Sequence, residues 1–177
     1  MSDCVEYYLV EGAAYWPYFA KHHYMNGEYN GHGAIVGVMN GELAAFTSYI
    51  AYPSPIPQPC KRGHRTVVLP DFQGFGFGAQ ISQVMGVYLL SQGFRYFCKT
   101  SHPRLGEHRN LSPLWRETSQ NMKMRDNDSL KLRWRRKEVS SYCHEFVGDD
   151  PELYASVMET KKRVDTNQMS LFPIDSI

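Results

Sequence analysis

The sequence predicts an α/β (α+β) fold, a central mixed, twisted sheet flanked by helices. Three observations carry that expectation. Arg65–His102 reads as strand, glycine-rich turn, helix and strand in succession. Gly33–Ile50 reads as a hairpin, because Asn40-Gly41 separates two apolar runs and Asn-Gly is a strong short-range hairpin signal. Val139–Val147 sets Tyr142, His144 and Phe146 on one parity, the pattern of a half-buried strand.

Val5–Val10 is the candidate first strand, and Ala13–Lys21, with Tyr15, Trp16, Tyr18 and Phe19, predicts a short helix that tolerates Pro17 near its start. His22-His23-Tyr24-Met25-Asn26-Gly27 is a titratable cluster before a turn. Gly33–Met39 and Glu42–Ile50 form the hairpin, and apolar residues on both parities from Ala44 to Tyr52 predict a strand buried on both faces. Tyr52–Gly63 carries Pro53, Pro55, Pro57 and Pro59 and is expected as an irregular loop, either a connector or a cleft wall. Thr66–Leu69 is a short strand stopped by Pro70-Asp71. After the glycine turn, Ile81, Val84, Met85, Tyr88 and Leu89 make a helical stripe. Gly93 is placed to end that helix, and Phe94–Thr100 resumes a strand. Residues 104–128 are expected as an irregular loop with a short helix around Ser112–Thr118, Ser112 as N-cap and Pro113 at N1. Leu130–Lys137 predicts a half-exposed strand with a basic face, and Pro151–Val164 an amphipathic helix. Residues 1–150 are thus one domain, with 151–177 its C-terminal helix and tail.

The 177 residues are 42% hydrophobic and 14% aromatic, enough for a real core and for an aromatic cleft. A net charge of +1 supplies no general affinity for nucleic acid, so only local patches can argue for it. Cys4, Cys60, Cys98 and Cys143 stand singly, which argues against a structural zinc site and a disulfide framework. No signal peptide and no apolar run of about eighteen residues occurs, so a cytoplasmic protein with no membrane partner is expected.

Gln73-Gly74-Phe75-Gly76-Phe77-Gly78 is the most informative stretch. Glycines just before a helix let backbone N–H groups converge on an anion, and the helix dipole adds to the attraction. The spacing is neither G-x-G-x-x-G nor a P-loop, because no Gly-Lys-Ser/Thr follows. It resembles the pyrophosphate loop of the GNAT acetyltransferase family, Gln/Arg-x-x-Gly-x-Gly/Ala, here Gln73-x-x-Gly76-x-Gly78 after a Val68-Leu69-Pro70 step. The resemblance implies a GNAT fold and a site for acetyl-CoA or a related acyl-CoA at Val68, Leu69, Gln73, Gly74, Gly76, Gly78 and Ala79.

Such a site needs a base for the incoming amine and a donor for the leaving thiolate. At the end of the second strand stand Ser101 and His102. His102 is either an acid/base or acceptor contact, or a surface turn histidine. Ser112 and Trp115 follow; the Trp is either a lid or a core plug, and plug-and-wall is favoured. His23 with Tyr24 can act as base, base-flip contact or metal ligand, or His23 can simply close a helix C-terminus. His144 either reaches the same cleft or is a satisfied core histidine, and the latter is favoured. Lys131, Arg133, Arg135, Arg136 and Lys137, with Arg104 and Arg109 upstream, form a basic stripe interleaved with Trp115 and Trp134. It is either a phosphate-binding track or a solvated face.

Several pieces are more specific: HHYMNG at 22–27, RTVVLPDFQGFGFG at 65–78, KTSHP at 99–103, SPLW at 112–115 and SSYCHEFVG at 140–148. Together they are similar to the GNAT-like group that contains the phage DNA-modification protein Mom, over roughly residues 20–148. That resemblance implies conversion of adenine in DNA to N6-carbamoylmethyl (acetamido) adenine, protecting phage DNA against restriction in the host cytoplasm. It also implies iron, with His23 and Tyr24 as the carried-over ligand or catalytic candidates. Catalysis would then involve His23, Tyr24, Ser101, His102 and Ser112, and DNA contact Arg104, Arg109, Arg133, Arg135 and Arg136. A homodimer is compatible with this reading. The alternative is a conventional acetyl-CoA-dependent N-acetyltransferase of a small amine or protein.

Overall fold

The computed structural model describes residues 5–24, 28–54, 57–123 and 141–148. In chain order the elements are β1 (Val5–Val10), α1 (Gly12–Ala20), β2 (Gly33–Met39), β3 (Glu42–Tyr52), β4 (Cys60–Val68), α2 (Phe77–Ser91), β5 (Arg95–Thr100), α3 (Pro103–Leu111), β6 (Trp115–Glu117) and β7 (Tyr142–Phe146). They make one sheet in the order β1-β2-β3-β4-β5-β7-β6. The ladders are antiparallel except β4–β5, which is parallel because α2 carries the chain back across the sheet between them.

Local chemistry explains the connections. Asn40 and Gly41 both adopt positive φ, 52° and 86°, the conformation a tight two-residue hairpin requires. After α2, Gly93 at φ 80° lets its own N–H reach Leu90 O and that of Phe94 reach Leu89 O, at 2.9 and 3.0 Å. This paired bonding closes the helix as the apolar stripe predicts.

Each face of the sheet carries its own core. Trp16 and Phe19 of α1 pack on Ala34, Val36, Val38, Phe46 and Val67. On the other face Ile81, Val84, Met85 and Leu89 of α2 pack with Ile35, Ala45, Tyr96, Trp115 and Phe146. β2 and the first half of β3, Leu43 to Ser48, are buried from both sides, whereas Ala51 and Tyr52 are exposed. The strand expected to be buried on both faces from Ala44 to Tyr52 is so only in its first half. At Gly86 the helix lies so close to β7 that an added Cβ would stand 2.4 Å from a Phe146 ring carbon.

Two further expectations are corrected. The proline loop is shorter than Tyr52–Gly63, because β4 begins at Cys60, directly after the last proline. From there backbone N–H groups are available again, and Cys60–Gly63 pair with Tyr49–Tyr52. The helix expected around Ser112–Thr118 is instead α3, with His102 as N-cap and Pro103 at its start; Ser112 is its C-cap. Residues PRLGEHRNL present no apolar stripe, so periodicity could not reveal that helix. Trp115 opens strand β6 and is the core plug the sequence favours, buried between Tyr96, His144 and Phe146. The expected strand at Leu130–Lys137, the helix at Pro151–Val164, and Arg133, Trp134, Arg135 and Arg136 lie outside the described residues.

Candidate active site where two parallel strands part

β4 and β5 pair only at Cys60↔Arg95, Lys61↔Tyr96 and Arg62↔Phe97. Beyond that β4 runs on to Val68 and β5 to Thr100 without pairing to each other, so the sheet opens into a cleft at the C-terminal ends of its parallel pair. Two features hold the strands apart. The side chains of Tyr96 and Cys98 wedge against Gly63, where a Cβ would stand 2.9 Å from both the phenolic oxygen and Sγ. Just beyond, the β3–β4 ladder passes from Tyr49↔Gly63 to Thr47↔Thr66, so His64 and Arg65 together stand against Ser48 as a bulge. Burial pushes the Tyr96 phenol well above its ordinary range, which keeps it protonated at the root of the cleft.

The glycine turn forms one lip. Leu69 N donates to Ala44 O at 2.9 Å, and Gln73 Nε2 donates to Val68 O at 3.0 Å, tying the turn to β3 and β4. Gly74 and Gly76 adopt φ of 94° and 81°, and a Cβ on either would meet nothing within 4 Å. The turn therefore leaves a bare backbone cradle that side chains would fill. The N–H groups of Phe77 and Gly78 open α2 and have no intrahelical acceptor. Ala79 N is already committed, donating to Gly76 O at 3.0 Å. The bare backbone of Gly74–Gly78 at the start of α2 has the form an anion such as a diphosphate needs, and Gln73 braces it through Val68 O.

Ser101 and His102 form the other lip, both exposed. Thr100 Oγ1 accepts from His102 N at 3.1 Å, and His102 Nδ1 accepts from Leu105 N at 3.4 Å. One imidazole nitrogen is thus used to cap α3, and the other faces outward. The structure does not bring Ser112 here. It closes the far end of α3, nine residues and about 13 Å along the axis, with its Oγ accepting from Leu114 N at 3.3 Å.

His23 is buried, stacked on Tyr24 at 4.6 Å and edge-on to Trp16 at 5.6 Å, while Tyr24 is 80% exposed. Trp16 in turn stacks on Tyr29 at 5.7 Å and lies beneath the Arg65 guanidinium at 5.7 Å. This aromatic group meets the β4 bulge at His64, whose ring is 6.2 Å from that of Tyr29. Sequence reasoning missed His64 because it fell next to the expected proline loop; the R-x-H-R spacing on a strand was its signal. Burial, Arg65, Arg62 and His23 together push its pKa down to about 4, so it is neutral at neutral pH. Its Nε2 is buried with no hydrogen-bond partner among the described residues.

Arg104 is exposed on the first turn of α3, but Arg109 is buried with its guanidinium over the Trp115 ring at 4.4 Å. Arg109 therefore braces the core and offers no charge to DNA, contrary to expectation; its helix turns it inward. His144 is buried in the core, as expected, but only half satisfied: Nε2 lies 2.7 Å from Asn110 Oδ1, Nδ1 has no hydrogen-bond partner among the described residues, and its pKa is lowered by burial and by Arg109. Among the described residues no three His, Cys, Asp or Glu side chains converge. His23 and Tyr24, stacked ring on ring, are joined by no such cluster among the described residues, and that donor pair does not fit iron. Among the same residues no helix is long and apolar enough to cross a membrane.

No family model matches the sequence, and no curated protein does. Among solved structures the chain is similar to N-acetylglutamate synthase from Neisseria gonorrhoeae complexed with coenzyme A and L-arginine, with TM-score 0.53 and 10% identity over 80% of this chain and 32% of that one. It is similar to Arabidopsis thaliana Naa50 in complex with the bisubstrate analogue CoA-Ac-MVNAL, with TM-score 0.52 and 9% identity over 80% of this chain and 97% of that one. A third is the ribosomal-protein-S18-alanine N-acetyltransferase from Escherichia coli, with TM-score 0.51 and 12% identity over 81% and 93% of the two chains. The mixed sheet, its helices on both faces and the parting of its parallel strands are those of the GNAT fold, and this chain has it.

Proposed function

We propose that this protein is a CoA-dependent transferase acting on an amine, and that its acceptor is the exocyclic amine of adenine in DNA. The observation that carries the transferase reading is the parting of β4 and β5 beside the bare-backbone turn that opens α2. A bound acyl-CoA supplies a thioester carbonyl as the electrophile. The chain's own contribution is positional and electrostatic. The turn amides and the α2 dipole hold diphosphate, and the β5-facing backbone of β4 beyond Arg62 offers N–H groups to a developing oxyanion. Ser101 and His102 meet the entering acceptor at the opposite lip.

Adenine as acceptor is supported by the HHY, SHP and HEFVG pieces and their likeness to Mom-type proteins. The ring of Tyr24, exposed and stacked on His23, is suited to stacking a base drawn out of the duplex. The product implied by that likeness is N6-carbamoylmethyl adenine, serving protection against restriction. Its new bond is N6–CH2 and not the amide that attack on a thioester carbonyl forms, so acyl transfer alone gives an N6-acyl adenine and is not the net reaction of that likeness. The test is mass spectrometry of nucleosides digested from the DNA of cells expressing the protein. A modified adenosine absent from vector controls is expected; unmodified adenine throughout overturns the DNA reading. Thiol release from acetyl-CoA with a small amine or peptide, and no dependence on DNA, would identify the conventional N-acetyltransferase instead.

A further inference from the structure

The sheet face opposite α2 carries a second surface beside the part that α1 covers. Alternation puts Tyr96 and Cys98 in the core beneath α2, so Arg95, Phe97 and Lys99 of β5 face the other way. Register carries that face across the neighbouring strands. Phe97 stands beside Arg62 of β4 and Glu145 of β7, and Glu145 beside Arg116 of β6. Tyr52 of β3 joins the row as the partner of Cys60, which itself pairs with Arg95. Among the described helices, α1 covers this face over Ala34, Val36, Val38, Phe46 and Val67, whereas α2 and α3 pack on the opposite one. Tyr52, Lys99 and Arg116 are exposed, and Arg62, Arg95 and Phe97 are half-buried.

The row alternates charge with rings. The Arg62 guanidinium lies over Tyr52 at 5.5 Å, the Tyr52 and Phe97 rings are 5.5 Å apart, and Arg95 lies over Phe97 at 5.0 Å. Arg95 and Arg116 both bond Glu145. With Lys99, four cations of these five strands thus share the face with one carboxylate. The strands contain two other carboxylates. Glu117 pairs with His144 and so points to the opposite face, and Glu42 opens β3 at the end remote from Tyr52. A guanidinium laid on a ring is pre-positioned, so it gives up little freedom when it meets a phosphate. Rings set among cations on an open sheet suit unpaired bases, which stack while the cations track the backbone. A duplex keeps its bases stacked on one another and meets the cations alone.

We infer that this half-face binds a single-stranded polynucleotide, with its phosphates on Arg62, Arg95, Lys99 and Arg116 and its bases on Tyr52 and Phe97. β5 runs from Arg95 to Thr100, directly before Ser101 and His102, so a strand lying along it is led to the lip of the cleft. The inference goes beyond the choice of acceptor, because it needs no particular base and no transfer step.

The experiment is fluorescence anisotropy of the full chain with labelled oligothymidylate of about twenty nucleotides. Thymine has no exocyclic amine, so this probe binds without being an acceptor, and its result is separate from that of the adenine reading. It is expected to bind about tenfold tighter than a duplex of the same length, with log K falling on log salt with a slope of about −2 to −3 for four cations. Tyr52→Ser and Lys99→Glu, both at exposed positions, should each weaken it about tenfold. Lys123→Glu, the same charge change beyond the end of β6, should weaken it less than about twofold. Oligouridylate of equal length separates RNA from DNA as the source, and binding of either supports the inference. Binding of neither, a duplex bound as tightly as the single strand, or Lys123→Glu as damaging as Lys99→Glu overturns it.

Discussion

Gly76→Ala tests the cofactor cradle, and Gly93→Ala is its matched control. Both glycines hold φ near 80°, at 81° and 80°, and a Cβ on either meets nothing within 4 Å. They stand at opposite ends of the same helix, Gly76 as N-cap and Gly93 just past the C-cap. An L-residue in that left-handed region costs about 1–2 kcal/mol, so both variants should lose that much stability. Only Gly76 sits among the amides proposed to receive diphosphate. If the new alanine there relaxes its φ, one or two of those N–H groups swing away, each worth about 1.5–3 kcal/mol as a bond to a charged group. CoA should therefore bind Gly76→Ala between about tenfold and ten-thousandfold more weakly, whereas Gly93→Ala binds it normally. Urea denaturation gives the stability change, and calorimetry the affinity. Equal CoA affinity in the two variants, at equal loss of stability, would refute the cradle.

Gly86→Ala reverses a helix-propensity expectation: alone it should gain about 1 kcal/mol, but the new Cβ lands 2.4 Å from buried Phe146. Overpacking of about 1–3 kcal/mol should leave the variant net destabilised in urea, and Phe146→Leu should restore the gain; a stabilised Gly86→Ala refutes the close approach. Glu145 bonds Arg95 at 2.6 Å and Arg116 at 2.7 Å. Burial raises its pKa, but the two guanidinium bonds outweigh that and lower it. The resulting stabilisation is present above the unfolded carboxylate pKa of about 4.3 and is lost as pH falls through the depressed folded value. Glu145→Gln should cost about 1–2 kcal/mol at pH 7, discounted because Arg116 is 65% exposed, and its difference from wild type should vanish in acid; a pH-independent difference refutes the ion pairs.

The hairpin, the α2 stripe, its glycine stop and the glycine turn before α2 were legible in the sequence, because each rests on local rules. Asn40-Gly41 fixes its own dihedrals, Ile81 to Leu89 repeat at the helical period, and Gly74 and Gly76 are the residues that a left-handed turn favours. α3 was not legible, since its stability comes from docking Gly106 against Tyr142 and burying Arg109, and a mostly polar nonapeptide carries no stripe. Nor was the true extent of β4, which is set by pairing with β3 rather than by its own residues.

The candidate site divides in the same way. The bare-backbone glycine turn and the neighbouring strand end at Ser101-His102 could be read from the chain alone, because both belong to adjacent elements of one strand–turn–helix–strand unit. Which distant groups share that cleft was settled by packing in three dimensions. Folding carried Ser112 to the far end of α3, turned Arg109 into the core, and set His23, Tyr29 and Arg65 around His64. The reason is that a side chain's charge state and reach depend on what is packed against it, and packing between remote segments leaves no periodic trace in the chain.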